Sequence, residues 1–185
     1  MNLMPSTDTL AAIELLVLDC DGVLTDRGLL YDDKGTRLLR FDARDGFGLA
    51  LFTRHCGKKA AILSGRPTDI AHHRFAELGL HPIRGRSRNK AKDVLEICDE
   101  LSVLPERTAF VGDDLPDLPA MSKVGMAIAV ADAAPEVKAI ADWHLNERGG
   151  NGAIREICEA ILKATGHWQD WLKQTGFEPS RFEGI

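Results

Sequence analysis

The chain has 185 residues and a formal net charge of −5, with 44% hydrophobic and 28% charged residues. This length fits one domain with a substantial core, and the acidic balance without a long Lys/Arg run excludes an electrostatic footprint for nucleic acid or an anionic membrane surface. Since no apolar run approaches the roughly 20 residues of a membrane span, we expect a cytoplasmic protein with neither nucleic acid nor membrane as partner.

Residues 15–26, LLVLDCDGVLTD, predict a buried strand that ends in an acidic loop. The continuous apolar run is typical of a strand covered on both faces of a parallel sheet. Asp19 and Asp21 follow it, where open α/β sheets bind ligands, and two like charges so close need a metal, a proton or a ligand. Gly22 then allows a sharp turn and a close approach of the backbone to that ligand.

A β-hairpin flap is predicted after this loop. Two apolar-bearing runs, 28–31 and 37–41, flank the turn-prone segment 32–35. A lone hairpin is marginal in water, so we expect it to pack on another surface, a sister subunit being one candidate.

Strands and helices alternate along the rest of the chain. Helices are predicted over 45–55, 68–78, 90–101, 118–122, from 135 onward and over 151–165, and strands over 59–63, 82–84, 108–111, 126–130 and 141–145. The alternation predicts a doubly wound, Rossmann-like α/β fold with a mostly parallel sheet and helices on both faces. We expect a single domain over 1–185, with its core over about 12–165 and a tail, 166–185, that is flexible or docks on a subunit.

Reactive side chains follow three of the predicted strands. Asp19 and Asp21 end the first, Ser64 the second, and Asp113 and Asp114 the third, while Lys90 opens a helix near the same rim. A carboxylate nucleophile, a second carboxyl for proton transfer, a hydroxyl, a cation and metal-binding carboxylates suit phosphoryl transfer through an aspartyl-phosphate. Taken alone, the segment at Ser64 fits a helix start, Lys90 fits a surface lysine, and the acidic segment at 112–117 fits a helix cap. These explanations do not account for the order of the motifs and their common placement at strand ends.

These residues match, in order, the four motifs of the haloacid dehalogenase-like (HAD) phosphohydrolases, which the chain resembles from about residue 15 to 165. The motifs are DxD at Asp19 and Asp21, Ser64, Lys90, and GDDxxD at 112–117. Within this superfamily the chain resembles the subgroup without a large cap domain that acts on 3-deoxy-D-manno-octulosonate 8-phosphate or acylneuraminate 9-phosphate. That likeness rests on the hairpin, RDG at 44–46, AVAD at 129–132 and GGNGAIRE at 149–156.

The resemblance implies a role for each catalytic residue. Asp19 would attack phosphorus, and Asp21 would act as the acid and then the base. Ser64 and Lys90 would hold the phosphoryl oxygens. The reaction would belong to lipopolysaccharide biosynthesis.

The resemblance also implies a Mg²⁺ site. The Asp19 carboxylate, the Asp21 backbone carbonyl and Asp113 would hold the ion, an all-oxygen set that suits a hard cation. Asp114 and Asp117 would orient these ligands rather than bind the metal directly.

Substrate contacts are implied for the segment 42–46 and for several basic positions. The implied contact residues are Asp42, Arg44, Asp45, Gly46, Gly65, Arg66, Arg74 and Arg86. Arginine suits a sugar-acid carboxylate because it can donate two parallel hydrogen bonds. Octulosonate phosphatases commonly carry Arg or Lys where this chain has Ala50, and Arg86 and Arg88 in the loop before Lys90 are candidate replacements.

Two classes of function remain open. The first is a Mg²⁺-dependent phosphatase for a phosphorylated sugar acid, for which the resemblance implies a homotetramer with associated hairpins and a neighbouring subunit at each site. The second is a receiver-like signalling module, which also places Asp, Ser or Thr, and Lys around Mg²⁺. Asp21 favours the phosphatase, because an acid/base beside the nucleophile promotes turnover of the acyl phosphate. The intact residue set disfavours a third class, a catalytically silent subunit.

Overall fold

The computed structural model describes residues 4–176, which form six parallel strands in one sheet and a separate two-stranded hairpin. The strands are β1 (Leu15–Leu18), β2 (Leu30–Tyr31), β3 (Arg37–Leu38), β4 (Lys59–Leu63), β5 (Ile83–Arg84), β6 (Thr108–Gly112), β7 (Met126–Ala129) and β8 (Trp143–His144). The sheet order is β5-β4-β1-β6-β7-β8, and β2 pairs with β3 in the hairpin. The predicted doubly wound, mostly parallel α/β sheet is confirmed.

Helices connect these strands and cover the sheet. They are α1 (Thr7–Ala12), α2 (Ala43–Ala50), α3 (His72–Glu77), α4 (Lys90–Leu101), α5 (Leu118–Met121), α6 (Pro135–Ile140), α7 (Ala153–Ala164) and α8 (His167–Gln174). Helices α1, α2, α7 and α8 pack together on one face, and α4 packs with α5 on the other. None of these helices is long and apolar enough to cross a membrane.

Strands β1 and β6 form the buried centre of the sheet. Every residue of both strands is buried, as their continuous apolar runs predict for parallel strands covered on two faces. Leu18 at the end of β1 lies opposite Ile62 of β4 and Val111 of β6. Since the chain runs from β1 to one side of the sheet and returns to β6 on the other, the carboxyl ends of β1 and β6 form the topological switch point.

Three helix starts differ from the sequence prediction, and α7 begins at Ala153 rather than at 151. Helix α2 begins at Ala43, earlier than expected, because the Asp42 carboxylate accepts a hydrogen bond from the Arg44 backbone N–H at 2.7 Å. Helix α3 begins only at His72. Residues 68–71 form a turn instead, whose first carbonyl accepts from its last N–H at 2.9 Å, so the predicted helix cap at 68 or 69 is wrong.

The predicted hairpin is confirmed as a short, exposed flap between β1 and α2. In its turn, the Asp32 carboxylate accepts hydrogen bonds from the backbone N–H groups of Lys34 at 2.9 Å and Thr36 at 2.6 Å. Four apolar side chains of the flap are exposed, namely Leu29, Leu30, Tyr31 and Leu38, whereas Leu39 and Phe41 pack against the core. Within residues 4–176, only this flap lies between β1 and α2, and there is no large cap domain.

Both ends of the described chain pack on the central core. Leu10 of α1 is buried there, and Trp171 of α8 lies edge-on to Phe47 of α2 with ring centroids 5.4 Å apart. The start of the predicted tail therefore packs on its own chain. Residues 177–185 of that tail lie outside the described residues.

Candidate active site

The carboxyl ends of β1 and β6 hold a cluster of buried carboxylates. Asp19 follows β1, Asp113 follows β6, and Asp117 ends the 3₁₀ turn after β6. All three side chains are buried, and an oxygen from each lies within 4.8 Å of the others. Three carboxylates this close repel one another unless a cation or a proton lies between them.

Lys90 supplies one such cation from the first residue of α4. Its Nζ donates hydrogen bonds to Asp19 Oδ1 at 2.7 Å and to Asp117 Oδ1 at 2.6 Å. Burial alone would lower the pKa of Lys90, but the charges of the two carboxylates outweigh it and raise that pKa. Lys90 therefore remains charged between two acids.

Lys90 does not fully compensate the negative charges of Asp19 and Asp113. Burial, followed by the charge of Asp117, raises the pKa of Asp19 in spite of the contact with Lys90. Burial and the charge of Asp19 raise the pKa of Asp113 from 3.8 to about 8. Buried oxygen ligands that favour protonation in the absence of a cation fit a hard divalent ion such as Mg²⁺.

Asp117 differs from the other two acids because both its oxygens already have partners. Oδ1 accepts from Lys90, and Oδ2 accepts from the backbone N–H groups of Asp113 at 2.9 Å and Asp114 at 3.3 Å. Asp114 caps the same turn through a hydrogen bond from the Leu115 N–H at 2.8 Å. These contacts shape the loop that carries Asp113, which agrees with an orienting role for Asp114 and Asp117.

The acidic turn after β1 passes directly beside Asp113. Gly22 has φ +100°, and a Cβ atom there would lie 2.0 Å from Asp113 Oδ2. The GGNG segment supports the turn from behind, since the Gly150 N–H donates to the Val23 carbonyl at 2.9 Å. A Cβ atom on Gly149 would lie 1.7 Å from the Gly22 carbonyl oxygen, so only glycine fits at this contact.

A cleft of about 290 Å³ opens beside the carboxylates. It is lined by every predicted catalytic, metal-binding and orienting residue, and by Gly65 and Arg66 from the predicted substrate contacts. Ser64 Oγ accepts from the Arg66 backbone N–H at 3.1 Å, so its own proton remains available to a ligand. The structure thus places Asp19, Asp21, Ser64 and Lys90 at one site.

Sequence reasoning missed Arg37, which reaches the site from the flap. Arg37 donates from Nη2 to Asp21 Oδ1, and Arg66 Nε lies 3.7 Å from the other oxygen of Asp21. A basic residue in a short exposed strand is an ordinary way to protect a sheet edge, so the sequence carried no specific signal for this contact.

Arg27 was also missed. Its guanidinium lies 3.4 Å from Asp113 Oδ2 and pairs with Asp132, the aspartate of the AVAD segment. Asp132 in turn accepts a hydrogen bond from the Gly149 N–H at 3.1 Å. The arginine therefore ties the flap segment to the loops after β6 and β7, which explains structurally why AVAD and GGNG lie near the site.

Asp45 does not reach the cleft. Its carboxylate accepts hydrogen bonds from the backbone N–H groups of Gly152 at 3.2 Å and Arg155 at 2.8 Å, at the start of α7. Its side chain is buried there, and burial raises its pKa. The structure thus directs Asp45 towards α7, away from the substrate contact that the resemblance implies.

Asp42 and Arg44 also lie outside the cleft. The Asp42 side chain caps α2 and pairs with the Arg44 guanidinium at 3.1 Å. Arg44 additionally donates to the Asn151 carbonyl at 3.0 Å. These contacts hold α2 against the GGNG segment, so neither side chain lines the cleft of its own chain.

The remaining implied contacts face other surfaces. A Cβ atom on Gly46 would lie 2.1 Å from Arg74 Nη2, so Gly46 makes room for that arginine, which pairs with Glu77 at 3.0 Å. Arg86 is exposed and pairs with Asp69 at 3.3 Å. None of these three predicted residues lines the cleft of its own chain.

Comparisons with known proteins identify the family of the chain. A family model described as haloacid dehalogenase-like hydrolase matches residues 82–157. The chain is 43% identical over 157 residues to the 3-deoxy-D-manno-octulosonate 8-phosphate phosphatase KdsC of Salmonella typhi, which covers 83% of this chain and 81% of the relative.

Two solved structures extend the comparison. The phosphatase from Moraxella catarrhalis, in complex with magnesium ion, phosphate ion and KDO molecule, has a TM-score of 0.87 and 32% identity, covering 91% of this chain and 97% of the other. The cobalt-bound phosphatase from Haemophilus influenzae has a TM-score of 0.81 and 38% identity, covering 85% and 92%. With this share of identical residues along most of its length, the chain belongs to the haloacid dehalogenase-like hydrolases and, among them, to the 3-deoxy-D-manno-octulosonate 8-phosphate phosphatase family.

Proposed function

We propose that this protein is a Mg²⁺-dependent phosphatase that hydrolyses 3-deoxy-D-manno-octulosonate 8-phosphate to the free sugar acid and phosphate. One observation supports the chemistry most directly: Asp19 and Asp21 face the same cleft, and Lys90 is bonded to Asp19. An acid/base so close to a carboxylate nucleophile favours turnover over the lasting acyl phosphate of a receiver-like module. The names of the relatives support the choice of substrate.

In the first step Asp19 is the nucleophile. Its carboxylate, held by the Lys90 ammonium at 2.7 Å, attacks phosphorus in line, and an O–P bond forms as the ester O–P bond breaks. Asp21 gives a proton to the leaving oxygen, which departs as the sugar hydroxyl. Ser64 and Lys90 donate hydrogen bonds to the phosphoryl oxygens as the transfer proceeds.

In the second step Asp21 acts as a base. It takes a proton from a water molecule whose oxygen bonds to phosphorus, and the bond between phosphorus and Asp19 breaks. Phosphate is released, and the Asp19 carboxylate and the Asp21 proton are restored. The same residue therefore serves both steps in opposite directions.

The Asp19 carboxylate, Asp113 and the Asp21 backbone carbonyl would hold Mg²⁺ in this scheme. When bound, the ion offsets the negative charge of the carboxylates and of the phosphate. Asp117 keeps its oxygens on Lys90 and on backbone N–H groups, so its part is to orient Asp113.

We further propose a single-domain chain that assembles as a homotetramer through its flaps. Leu30, Tyr31 and Leu38 are exposed on each flap, and a neighbouring copy would cover them. Arg44 and Arg86 lie on the outer surface, where they could approach a neighbour's cleft. Light scattering of the intact protein and of a variant with a shortened flap turn tests this assembly; an active parental monomer would contradict it.

The cytoplasm is the proposed location. Cys20, Cys98 and Cys158 are buried with free thiols, as is usual for a protein of a reducing compartment. Fractionation of cells that express the natural protein, with antibody detection, tests this assignment.

Phosphate release tests the proposed reaction. The parent is assayed with MgCl₂ on octulosonate 8-phosphate, acylneuraminate 9-phosphate and ribose 5-phosphate, and an Asp19→Asn sample controls for contaminating phosphatase. We expect the highest kcat/KM for octulosonate 8-phosphate and loss of activity in EDTA. A higher value for acylneuraminate 9-phosphate would reassign the substrate, and no release from any ester would contradict a phosphatase.

A further inference from the structure

Arg37 is a largely buried cation that does not line the cleft itself but contacts Asp21, which does, and it has unused hydrogen-bonding capacity. Its side chain is only 16% exposed and is anchored through Nη2 to Asp21 Oδ1. Among residues 4–176, no acceptor lies within hydrogen-bond distance of its buried Nε. Since buried donors are nearly always paired, the unpaired Nε–H leaves this guanidinium with a donor that its own chain does not use.

The contact between Arg37 and Asp21 indicates which part of a bound substrate would lie near Arg37. In the proposed reaction the phosphoryl group lies against Asp19, Ser64 and Lys90, and the ester oxygen lies against Asp21. The carbon chain beyond the ester oxygen therefore continues on the Asp21 side of the cleft. Arg37 lies on that side, so it meets the leaving group rather than the phosphoryl group.

The buried cation that lines the cleft, Lys90, is already engaged, and so is Arg27. Lys90 donates to two carboxylates, and the half-exposed Arg27 lies between Asp113 and Asp132. Arg86, the replacement expected for a basic residue at position 50, pairs with Asp69 on the outer surface. Arg66 lines the cleft but is half-exposed, so Arg37 is the largely buried cation next to Asp21 that keeps an unused donor for an anionic leaving group.

We propose that Arg37 determines specificity by binding the carboxylate of the sugar-acid leaving group, an inference that rests on the proposed function. Arginine suits this ligand because its planar N–H groups match the two oxygens of a carboxylate. The contact would supply from the flap the positive charge that Ala50 does not supply from α2. A phosphate ester without a carboxylate would not use it.

Arg37→Ala tests the proposal against a matched control, Arg40→Ala. Arg40 lies on the same flap, is 56% exposed and pairs with Asp26 at 3.2 Å, away from the cleft. Loss of one charge-assisted contact in Arg37→Ala should lower kcat/KM for octulosonate 8-phosphate about tenfold to a hundredfold, mainly through KM. Hydrolysis of p-nitrophenyl phosphate, which lacks a carboxylate, should fall by a clearly smaller factor, because it registers only the lost contact with Asp21. Both reactions should change less than about threefold in Arg40→Ala.

A binding measurement separates this role from one in catalysis. Free octulosonate, as a competitive inhibitor of p-nitrophenyl phosphate hydrolysis, should bind Arg37→Ala more weakly by a similar factor. Arg37→Lys keeps the charge without the planar fork and should recover part of the affinity.

Equal losses on both esters would overturn the inference, because Arg37 would then act only by positioning Asp21. An unchanged KM and inhibition constant in Arg37→Ala would overturn it as well. If the parent hydrolyses p-nitrophenyl phosphate but not octulosonate 8-phosphate, the proposed substrate is wrong and the ligand assigned to Arg37 falls with it. That failure is seen in the parent, whereas a failure of the Arg37 inference alone is seen only in the variants.

Discussion

The cleft and the seam between α2 and α7 both bury aspartates but neutralise them differently. At the cleft, oxygens of Asp19, Asp113 and Asp117 lie within 4.8 Å of one another and share one lysine. At the seam, Asp45 is 1% exposed and accepts hydrogen bonds from two backbone N–H groups of the α7 N-terminus. The positive end of the α7 dipole adds to these bonds.

The two regions differ in whether the groups that compensate the carboxylates are fixed parts of the fold or exchange with solvent. The N–H groups that bind Asp45 belong to the fold and stay in place, so this aspartate joins two helices. The carboxylates at the cleft are compensated only in part by Lys90, and a proton or a metal ion must supply the rest. The two regions should therefore respond differently to substitution, to pH and to Mg²⁺.

The largest expected effect is the loss of catalysis in Asp19→Asn. An amide cannot attack phosphorus, so kcat should fall on the order of 10⁴-fold or more. The free energy of unfolding in metal-free buffer should stay constant or rise, because one of three crowded charges is removed. Phosphate release and urea unfolding measure the two quantities on the same sample.

Asp21→Asn is the companion variant for this prediction. It keeps the nucleophile but removes the acid/base, so phosphoenzyme should accumulate and appear as a phosphoryl adduct in intact mass spectrometry. Appreciable turnover by Asp19→Asn, above that of a mock purification, would contradict the assignment of the nucleophile.

The second prediction concerns pH and Mg²⁺ at the cleft. Because the pKa of Asp113 is raised from 3.8 to about 8, and that of Asp19 is raised too, the folded state holds protons that the unfolded chain releases. The metal-free free energy of unfolding should therefore fall between about pH 4 and pH 8, by on the order of a few kcal/mol. Bound Mg²⁺ replaces these protons and should remove most of the slope.

Urea unfolding at several pH values, in EDTA and in MgCl₂, tests this dependence. Asp113→Asn is the control, since it should flatten the metal-free profile without added ion. A metal-free stability that rises steadily towards pH 8 would show that Lys90 alone compensates the cluster.

The residues of the cleft were predictable because parallel strands end at a common edge of the sheet. Ser64, Lys90 and Asp113 are far apart in the chain, yet each follows a strand or opens a helix at that edge. The apolar run of β1 identified the central strand, and the acids after it located the site. Sequence was sufficient here because backbone topology alone decides these positions.

Arg37 and Asp45 could not be placed in this way. The position of the Arg37 guanidinium depends on how a two-residue strand folds back over the site and on several rotatable bonds, neither of which has a periodic signal. The RDG segment suggested a substrate contact for Asp45, but its partner Gly152 lies 107 residues away in the chain. The positions of both side chains depend on tertiary contacts that leave no pattern in the nearby sequence.

The third prediction concerns the seam. Asp45→Asn keeps one acceptor oxygen and places an NH₂ group against a backbone N–H donor, so it should lower the free energy of unfolding by about 1–3 kcal/mol. The kcat for octulosonate 8-phosphate should remain within about twofold of the parent, because no reacting atom is touched. Urea unfolding and initial rates at saturating substrate measure these effects.

Asp42→Asn is a matched control on the same helix. Asparagine is also a good helix cap, so its cost in stability should be smaller than that of Asp45→Asn. If Asp45→Asn proved as stable as the parent and raised KM strongly, Asp45 would be a substrate-binding residue after all.

The smallest expected effect is that of Ala50→Arg, which places a cation where the octulosonate phosphatases commonly have one. Position 50 lies one turn after Gly46, which abuts Arg74 of α3, and one turn before Arg54, which donates to the Glu77 carbonyl at 2.8 Å. This side of α2 and of the π-helical turn Leu51–His55 that continues it therefore faces α3 and not the cleft of the same chain. We expect kcat/KM for octulosonate 8-phosphate to change less than about twofold, within the range of an ordinary surface substitution. A rise of tenfold or more would show that position 50 reaches a substrate, and since its own cleft is out of reach, that substrate would be bound by a neighbouring copy of the chain.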